Sequence, residues 1–317
     1  MRNAYLSALY DLAKKDSRIL ALISDNGTIV YDKYRADLAD QFLNCGISEA
    51  NMISVAAGLA SCGKIPFTYT ITNFLIYRAY EQIRNDACLQ KMNVKFVGIG
   101  CGFAYSNLGP THHATEDIAL MRVLPNMTIL SPCDPWEARK LTVAAAEIDG
   151  PVFLRLATGG TPKIYDEGYG FKVGQGVTIL DGEDVTIIAT GGIVFEVLKA
   201  VEELKKKGIS ARVINLHTIK PIDKEIILKA AQETRTILIV EEHSIVGGLG
   251  SAVSEILQEE GKVLIRFKRM GLNNAFPQGY GSHDDMKEMN GLSKGHICQA
   301  VETLLKEKED VFNTSHT

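Results

Sequence analysis

Phe42-Leu-Asn-Cys-Gly-Ile-Ser-Glu49-Ala-Asn-Met-Ile-Ser-Val-Ala-Ala-Gly-Leu-Ala60 reads as a short strand, a turn at Gly46 and a helix of small apolar residues. Glu49 is its only charged side chain. It falls in the first helical turn, at the carboxyl end of a strand, where open α/β sheets place their ligand crevices. A carboxylate there also complements the helix dipole, so the position admits a structural as well as a chemical use. The same strand-to-helix pattern continues on both sides. Strands are expected near 19–24, 42–45, 66–70, 94–98, 127–131 and 152–156, with helices near 51–61, 76–89, 116–124 and 135–146 between them. Asp134-Pro135 opens the last helix in the Ncap–N1 arrangement. Alternation of this kind gives a parallel sheet and an α/β fold.

Residues 159–176, GGTPKIYDEGYGFKVGQG, interrupt the pattern with six glycines and a proline and read as a linker. A second α/β unit follows, with strands near 184–190, 211–216, 236–241 and 263–268 and helices near 193–207, 223–232, 250–259 and 293–306. The expected organisation is two doubly wound domains, 1–158 and 177–317, with a tail, 312–317, that frays. A length of 317 residues suits two cores.

Composition narrows the function classes. Hydrophobic residues make up 46% and charged residues 23%, as in ordinary globular proteins. The formal net charge of −4 offers no basic field for nucleic acid or anionic lipid. No apolar stretch approaches the ~20 residues that cross a bilayer. The N-terminal MRNAYLSALYDLAKKD reads as an amphipathic helix and not as a signal peptide. Six cysteines without a CxxC pair suggest free thiols and a cytoplasmic protein. No His, Cys or carboxylate cluster repeats at a zinc-ligand spacing.

Gly109-Pro-Thr-His-His-Ala-Thr-Glu-Asp117 also lies between a strand and a helix. Its two imidazoles are expected at a helix N-terminus, where the dipole would keep them neutral. These two segments, with Phe67-Thr-Tyr-Thr and Arg78-Ala-Tyr-Glu-Gln-Ile-Arg84 between them, resemble the pyrimidine-binding domain of transketolase. Val213-Ile-Asn-Leu-His-Thr-Ile-Lys-Pro-Ile-Asp223 and Val240-Glu-Glu-His-Ser-Ile-Val-Gly-Gly-Leu-Gly250 resemble the transketolase C-terminal domain. The GDG…N motif that holds diphosphate and metal in this family is lacking. Asp181-Gly182-Glu183-Asp184 reads as a tight turn between strands instead.

The resemblance therefore implies the C-terminal subunit of a split transketolase. Its expected partner is an N-terminal subunit carrying GDG…N and the divalent metal, Mg or Ca, and the pair is expected to dimerise into a heterotetramer. The implied cofactor is thiamine diphosphate, and the implied reaction transfers a two-carbon ketol unit from a ketose to an aldose. Glu49 takes the place of the glutamate that hydrogen-bonds N1′ of the aminopyrimidine. Phe74 and Tyr77 fall in the stretch whose aromatics stack on that ring, with Phe74 the better placed. His112 matches the histidine that meets the donor hydroxyls, and His113 lies behind it. Arg2 matches a phosphate-binding arginine. The family's histidine, aspartate and arginine are replaced near Gly100, Leu108 and Thr158, which implies a non-standard sugar. Two other readings are a β subunit of a 2-oxo acid dehydrogenase, which shares both domains and the glutamate, and a noncatalytic regulatory subunit.

Overall fold

The computed structural model describes residues 1–158 and 160–313, with side chains through residue 306. Gly159, in the expected linker, and 314–317, in the expected frayed tail, lie outside the described residues. The strands are β1 (Ile19–Ile23), β2 (Phe42–Asn44), β3 (Ile65–Ile71), β4 (Lys95–Ile99), β5 (Thr128–Leu130), β6 (Val152–Leu156), β7 (Val177–Leu180), β8 (Val185–Ala189), β9 (Ala211–Asn215), β10 (Thr218–Lys220), β11 (Thr236–Ser244) and β12 (Arg266–Leu272). The helices are α1 (Arg2–Ala13), α2 (Asp32–Asp37), α3 (Glu49–Ser61), α4 (Thr72–Arg78), α5 (Tyr80–Gln82), α6 (Asp117–Arg122), α7 (Pro135–Glu147), α8 (Val194–Lys206), α9 (Lys224–Thr234), α10 (Leu249–Glu260), α11 (His283–Met289) and α12 (Lys294–Asn313).

A seven-stranded sheet runs in the order β10-β5-β6-β4-β3-β1-β2, and a five-stranded sheet in the order β12-β11-β8-β9-β7. Within each sheet all pairings are parallel except β10 on β5 and β7 on β9. Every residue of β3, Ile-Pro-Phe-Thr-Tyr-Thr-Ile, is buried, as a strand covered on both faces requires. One face of the first sheet packs α1 and α7 through Tyr5, Leu9, Ala138 and Leu141. The other face packs α3, α4 and α6 through Met52, Ile76 and Met121. The second sheet is likewise covered on both sides, by α8 and α12 (Val197, Val301) and by α9 and α10 (Ile227, Val253). Both units are doubly wound. The Asp134 side chain caps α7 by accepting from Glu137 N at 2.7 Å, with Pro135 at N1. All six cysteines are free thiols, and among the described residues no helix is long and apolar enough to cross a membrane.

Several elements differ from the sequence expectation. The helix expected over 76–89 begins earlier, at Thr72, breaks at Ala79 and continues as a π-helical turn over Ile83–Cys88. The wider turn lets Ile83, Ala87 and Cys88 all face the core. The last strand sits later than 263–268, because Leu264 is 91% exposed while Met270 and Leu272 pack inward. Helix α11 is polar and carries no apolar periodicity. Ser282 and Asp285 form its capping box. Finally, β10 belongs by sequence to the second unit but pairs antiparallel with β5 of the first sheet.

The two units are joined by further buried polar contacts. Arg155 on β6 makes a two-pronged ion pair with Asp117 (2.7 and 3.3 Å) and donates to the Glu242 carbonyl of β11 at 3.3 Å. The Glu242 carboxylate accepts from Phe103 N at 3.1 Å. Asn215 on β9 donates to both oxygens of Glu137 on α7, at 3.0 and 3.1 Å. The segment after β6 is also packed. The Tyr165 and Tyr169 rings stack at 3.7 Å, and Asp134 accepts from Ile164 N and Tyr165 N, both at 2.8 Å.

Burial pushes the Glu137 carboxyl up from 4.5 to about 7, against the Cys133 N–H and the Asn215 amide, which favour its charged form. Between these two values the folded chain keeps a proton that the unfolded chain releases, so this group's contribution to stability falls as pH rises from about 4.5 to about 7. Glu137→Gln is expected to remove a loss of up to ~3 kcal/mol between about pH 5 and pH 8. Urea denaturation of both proteins at the two pH values measures it, and equal slopes would rule it out.

Candidate active site

The carboxyl ends of β1, β2, β3 and β4 lie side by side, and the segments leaving them assemble one cluster. Gly46, after β2, adopts φ +71°, a left-handed turn that admits a glycine at no cost and delivers the chain into α3. Glu49 is the first residue of that helix, and its side chain is only 5% exposed. Ser24, at the end of β1, donates to Glu49 Oε1, and Arg78 Nη1 donates to Oε2, both at 3.3 Å. Both contacts are longer than ordinary hydrogen bonds and leave carboxylate lone pairs open to a better donor.

Phe74 and Arg78 occupy i and i+4 on α4, and the guanidinium lies 4.1 Å from the centre of the Phe74 ring. The other neighbour of Phe74 is His112, edge-on with ring centres 5.2 Å apart. Tyr105 approaches the same imidazole edge-on at 6.3 Å. Asn73, 4% exposed, fixes the His112 loop by donating from Nδ2 to the carbonyls of Thr111 (3.1 Å) and His113 (2.9 Å) on either side of it. Thr111 Oγ1 lies 2.9 Å from His112 Nδ1.

Of the residues singled out in the sequence, the structure brings Glu49, Phe74 and His112 together. Tyr77 points elsewhere, is 40% exposed and donates to Glu116 at 2.6 Å. His113 is buried, with Nε2 3.3 Å from the Ser106 carbonyl and its ring against Phe103. The helix after the histidines starts only at Asp117, so the expected placement of both imidazoles at its N-terminus does not hold. Burial, with no helix dipole, holds the His113 imidazole below its usual range. Arg2 opens α1, and its charge reaches the Tyr105 and Tyr69 phenols. Gly100 has φ +87°, and the Tyr105 ring fills the place where its Cβ would stand. Leu108 is 46% exposed.

Ser24, Asn73, Arg78 and Tyr105 are not among the residues singled out in the sequence. The Phe74-x-x-x-Arg78 spacing is a signal for Arg78, since i and i+4 residues meet on one helix face. Nothing in a linear sequence brings Ser24 to Glu49. Chemically, the cluster offers a buried carboxylate acceptor, an aromatic face and an imidazole at one sheet edge. A planar heterocycle bearing a hydrogen-bond donor fits these groups, provided the Arg78 guanidinium leaves the Phe74 face it now covers. Among the described residues no group of three or more His, Cys, Asp or Glu side chains is placed to hold a metal ion.

Comparison with known proteins agrees with this architecture. The model of the transketolase pyrimidine-binding domain matches residues 1–162, and that of the transketolase C-terminal domain matches residues 174–297. One subunit of the apulose-4-phosphate transketolase of Phocaeicola vulgatus is 37% identical, over 96% of this chain and 97% of its own. The 6-deoxy-6-sulfo-D-fructose transketolase subunit SqwH of a Clostridium species is 38% identical, over 97% and 95% respectively. A solved structure described as a split gene transketolase, inactive beta4 tetramer, superposes with a TM-score of 0.89 at 38% identity, covering 96% of this chain and 98% of that one. With both domain models matched in order and relatives of equal length, the chain belongs to the transketolase family and comprises its pyrimidine-binding and C-terminal domains.

Proposed function

We propose that the chain is the subunit of a split transketolase that provides the aminopyrimidine half of a thiamine diphosphate site, and that the assembled enzyme transfers a two-carbon ketol unit from a ketose to an aldose. The observation that carries this reading is the Glu49 carboxylate, 5% exposed, weakly held, and grouped with Phe74 and His112 at one sheet edge. When bound, thiamine diphosphate supplies a nucleophilic thiazolium carbon that attacks the ketose carbonyl. Glu49 would hold the proton at N1′ of the aminopyrimidine, and the low dielectric around it strengthens that hydrogen bond. Phe74 would stack on the ring once Arg78 turns aside. His112 would meet the donor hydroxyls, with His113 supporting it from behind, and Arg2 would meet an anionic end group.

A second polypeptide with the GDG…N motif would hold the diphosphate and a divalent metal, Mg or Ca. A symmetric assembly with two copies of each subunit follows from the family's habit of building sites across an interface. The free thiols suit a cytoplasmic enzyme. Gly100, Leu108 and Thr158 offer no charged group to the substrate, and two relatives are named for a branched sugar phosphate and a sulfonated sugar. A ketose of altered skeleton or end group is therefore the expected donor. The readings as a 2-oxo acid dehydrogenase β subunit or a noncatalytic subunit make different predictions in the same assays.

The isolated chain is expected to show no ketol transfer, and mixing with the GDG…N subunit is expected to restore it in a thiamine-dependent way. Activity of the chain alone, or none after mixing, contradicts the split-site reading. In the assembled enzyme, Glu49→Gln is expected to lower turnover by ~10² to 10⁴ while the cofactor still binds. Hydrogen–deuterium exchange at the thiazolium C2 reports this directly, and near-normal exchange would remove Glu49 from the reaction. Xylulose 5-phosphate should be a poor donor, with kcat/KM below ~10⁴ M⁻¹s⁻¹, the lower end of the range of efficient enzymes. Steady-state kinetics on a donor panel tests this.

A further inference from the structure

Apart from Leu108, the segment Cys101-Gly-Phe-Ala-Tyr-Ser-Asn-Leu108 has no part in the functions assigned above, yet it is held by several hydrogen bonds at the rim of the site. Gly102 and Ala114 exchange backbone hydrogen bonds, Gly102 N to Ala114 O at 3.0 Å and Ala114 N to Gly102 O at 3.2 Å. Phe103 N donates to the Glu242 carboxylate, and Leu108 N closes a turn on the Tyr105 carbonyl at 2.9 Å. Beneath it, Gly100 N donates to Leu156 O at 2.9 Å and is itself in a left-handed conformation that resists a side chain.

This frame places the Tyr105 ring over the Gly100 backbone, where a side chain on Gly100 would collide with it. One edge of the ring meets His112 at 6.3 Å, and the Arg2 guanidinium acts on its phenol. The residue is half-buried. Burial holds the phenol above its usual range, so it keeps its proton and can donate. A protonated phenol thus lies beside the His112 imidazole over the Gly100 backbone, at the rim of the site.

We infer that Tyr105 determines donor specificity, its phenol hydroxyl hydrogen-bonding a chain hydroxyl of a ketose whose reacting end lies at His112 and whose terminal tetrahedral anion, phosphate or sulfonate, lies at Arg2. The inference rests on the transketolase reading above and names the group that recognises the sugar. If Tyr105 only fills space over Gly100, its hydroxyl is dispensable, and Tyr105→Phe, which keeps the ring, separates the two roles.

The test uses the enzyme assembled with its GDG…N subunit and two probes, apulose 4-phosphate and 6-deoxy-6-sulfo-D-fructose, which carry the two kinds of anion. For a donor that the wild type accepts, Tyr105→Phe should raise KM about five- to tenfold, the effect of one lost hydrogen bond, with kcat changed less than about twofold. Donor affinity measured by calorimetry in the Glu49→Gln background should weaken by the same factor when Tyr105→Phe is added, and C2 hydrogen–deuterium exchange with Glu49 intact should not change. A KM and an affinity unaltered by Tyr105→Phe would reduce the residue to packing. A joint fall in kcat and C2 exchange would show that it acts through the cofactor and overturn the assignment. A wild-type enzyme with normal exchange that accepts neither probe would overturn the ligand class alone. Absence of exchange in the wild type would overturn the transketolase reading, and this inference with it.

Discussion

A guanidinium buried in a sheet must be paired, and the pairing of Arg155 with Asp117 constrains much of what surrounds it. Arg155 is 6% exposed in the middle of the first sheet, and taking one partner from such a pair typically costs 3–5 kcal/mol. Its two bonds to Asp117 fix the first residue of α6, and a long contact from the same guanidinium, 3.5 Å, reaches the Ala114 carbonyl. Ala114 is two residues from His112, so the loop that carries the imidazole is anchored at its far end by this charge. Asn73 anchors the nearer end. The guanidinium's remaining bond, to the Glu242 carbonyl, brings in the second unit. The place of His112 against Phe74 therefore depends on a charge that makes no contact with either.

The cluster at Glu49 follows similar electrostatic logic. A carboxylate taken out of water needs a compensating donor, and Arg78 provides one while its flat face rests on Phe74. Arg78 is 53% exposed, so moving it into solvent disturbs no packed core. The bond it would give up is long. A buried acceptor and an exposed donor make a contact that can be exchanged for another planar donor.

Much of the fold is readable because parallel strands buried on both faces must be largely apolar, as β3 and β8 are apart from Thr68, Thr70 and Thr186, and because helix starts such as Asp134-Pro135 have local chemistry. Glu49 stands out as a lone charge in an apolar helix. The elements that differ from expectation each have a local physical cause. Edge strands take their register from hydrogen bonding, so the apolar run Val263-Leu264-Ile265 points to a strand too early and β12 begins at Arg266. Helix α11 is held by polar caps and has no hydrophobic stripe. The π-helical turn after Ala79 has no glycine or proline to announce it. In the site, Ser24 and Glu49 are 25 residues apart and Tyr105 reaches back over Gly100, contacts made by tertiary folding that leave no periodic trace. A histidine pair at a helix start requires the helix to begin at once, whereas three residues intervene before Asp117.

Strand β10 gives the boundary between the two units an unusual meaning. It lies some forty residues beyond the glycine-rich segment, yet it covers the outer edge of β5 and contributes Ile219 to the core on one face of the first sheet. Lys220 donates to the Arg122 and Leu124 carbonyls at the end of α6. A gene cut at the glycines would produce a first unit whose β5 presents a bare row of N–H and C=O groups, the geometry that templates intermolecular strand addition. The chain is divisible by sequence similarity but not by solubility, and fragments, fusions or circular permutants that respect its physics must keep residues 218–220 with the sheet they complete.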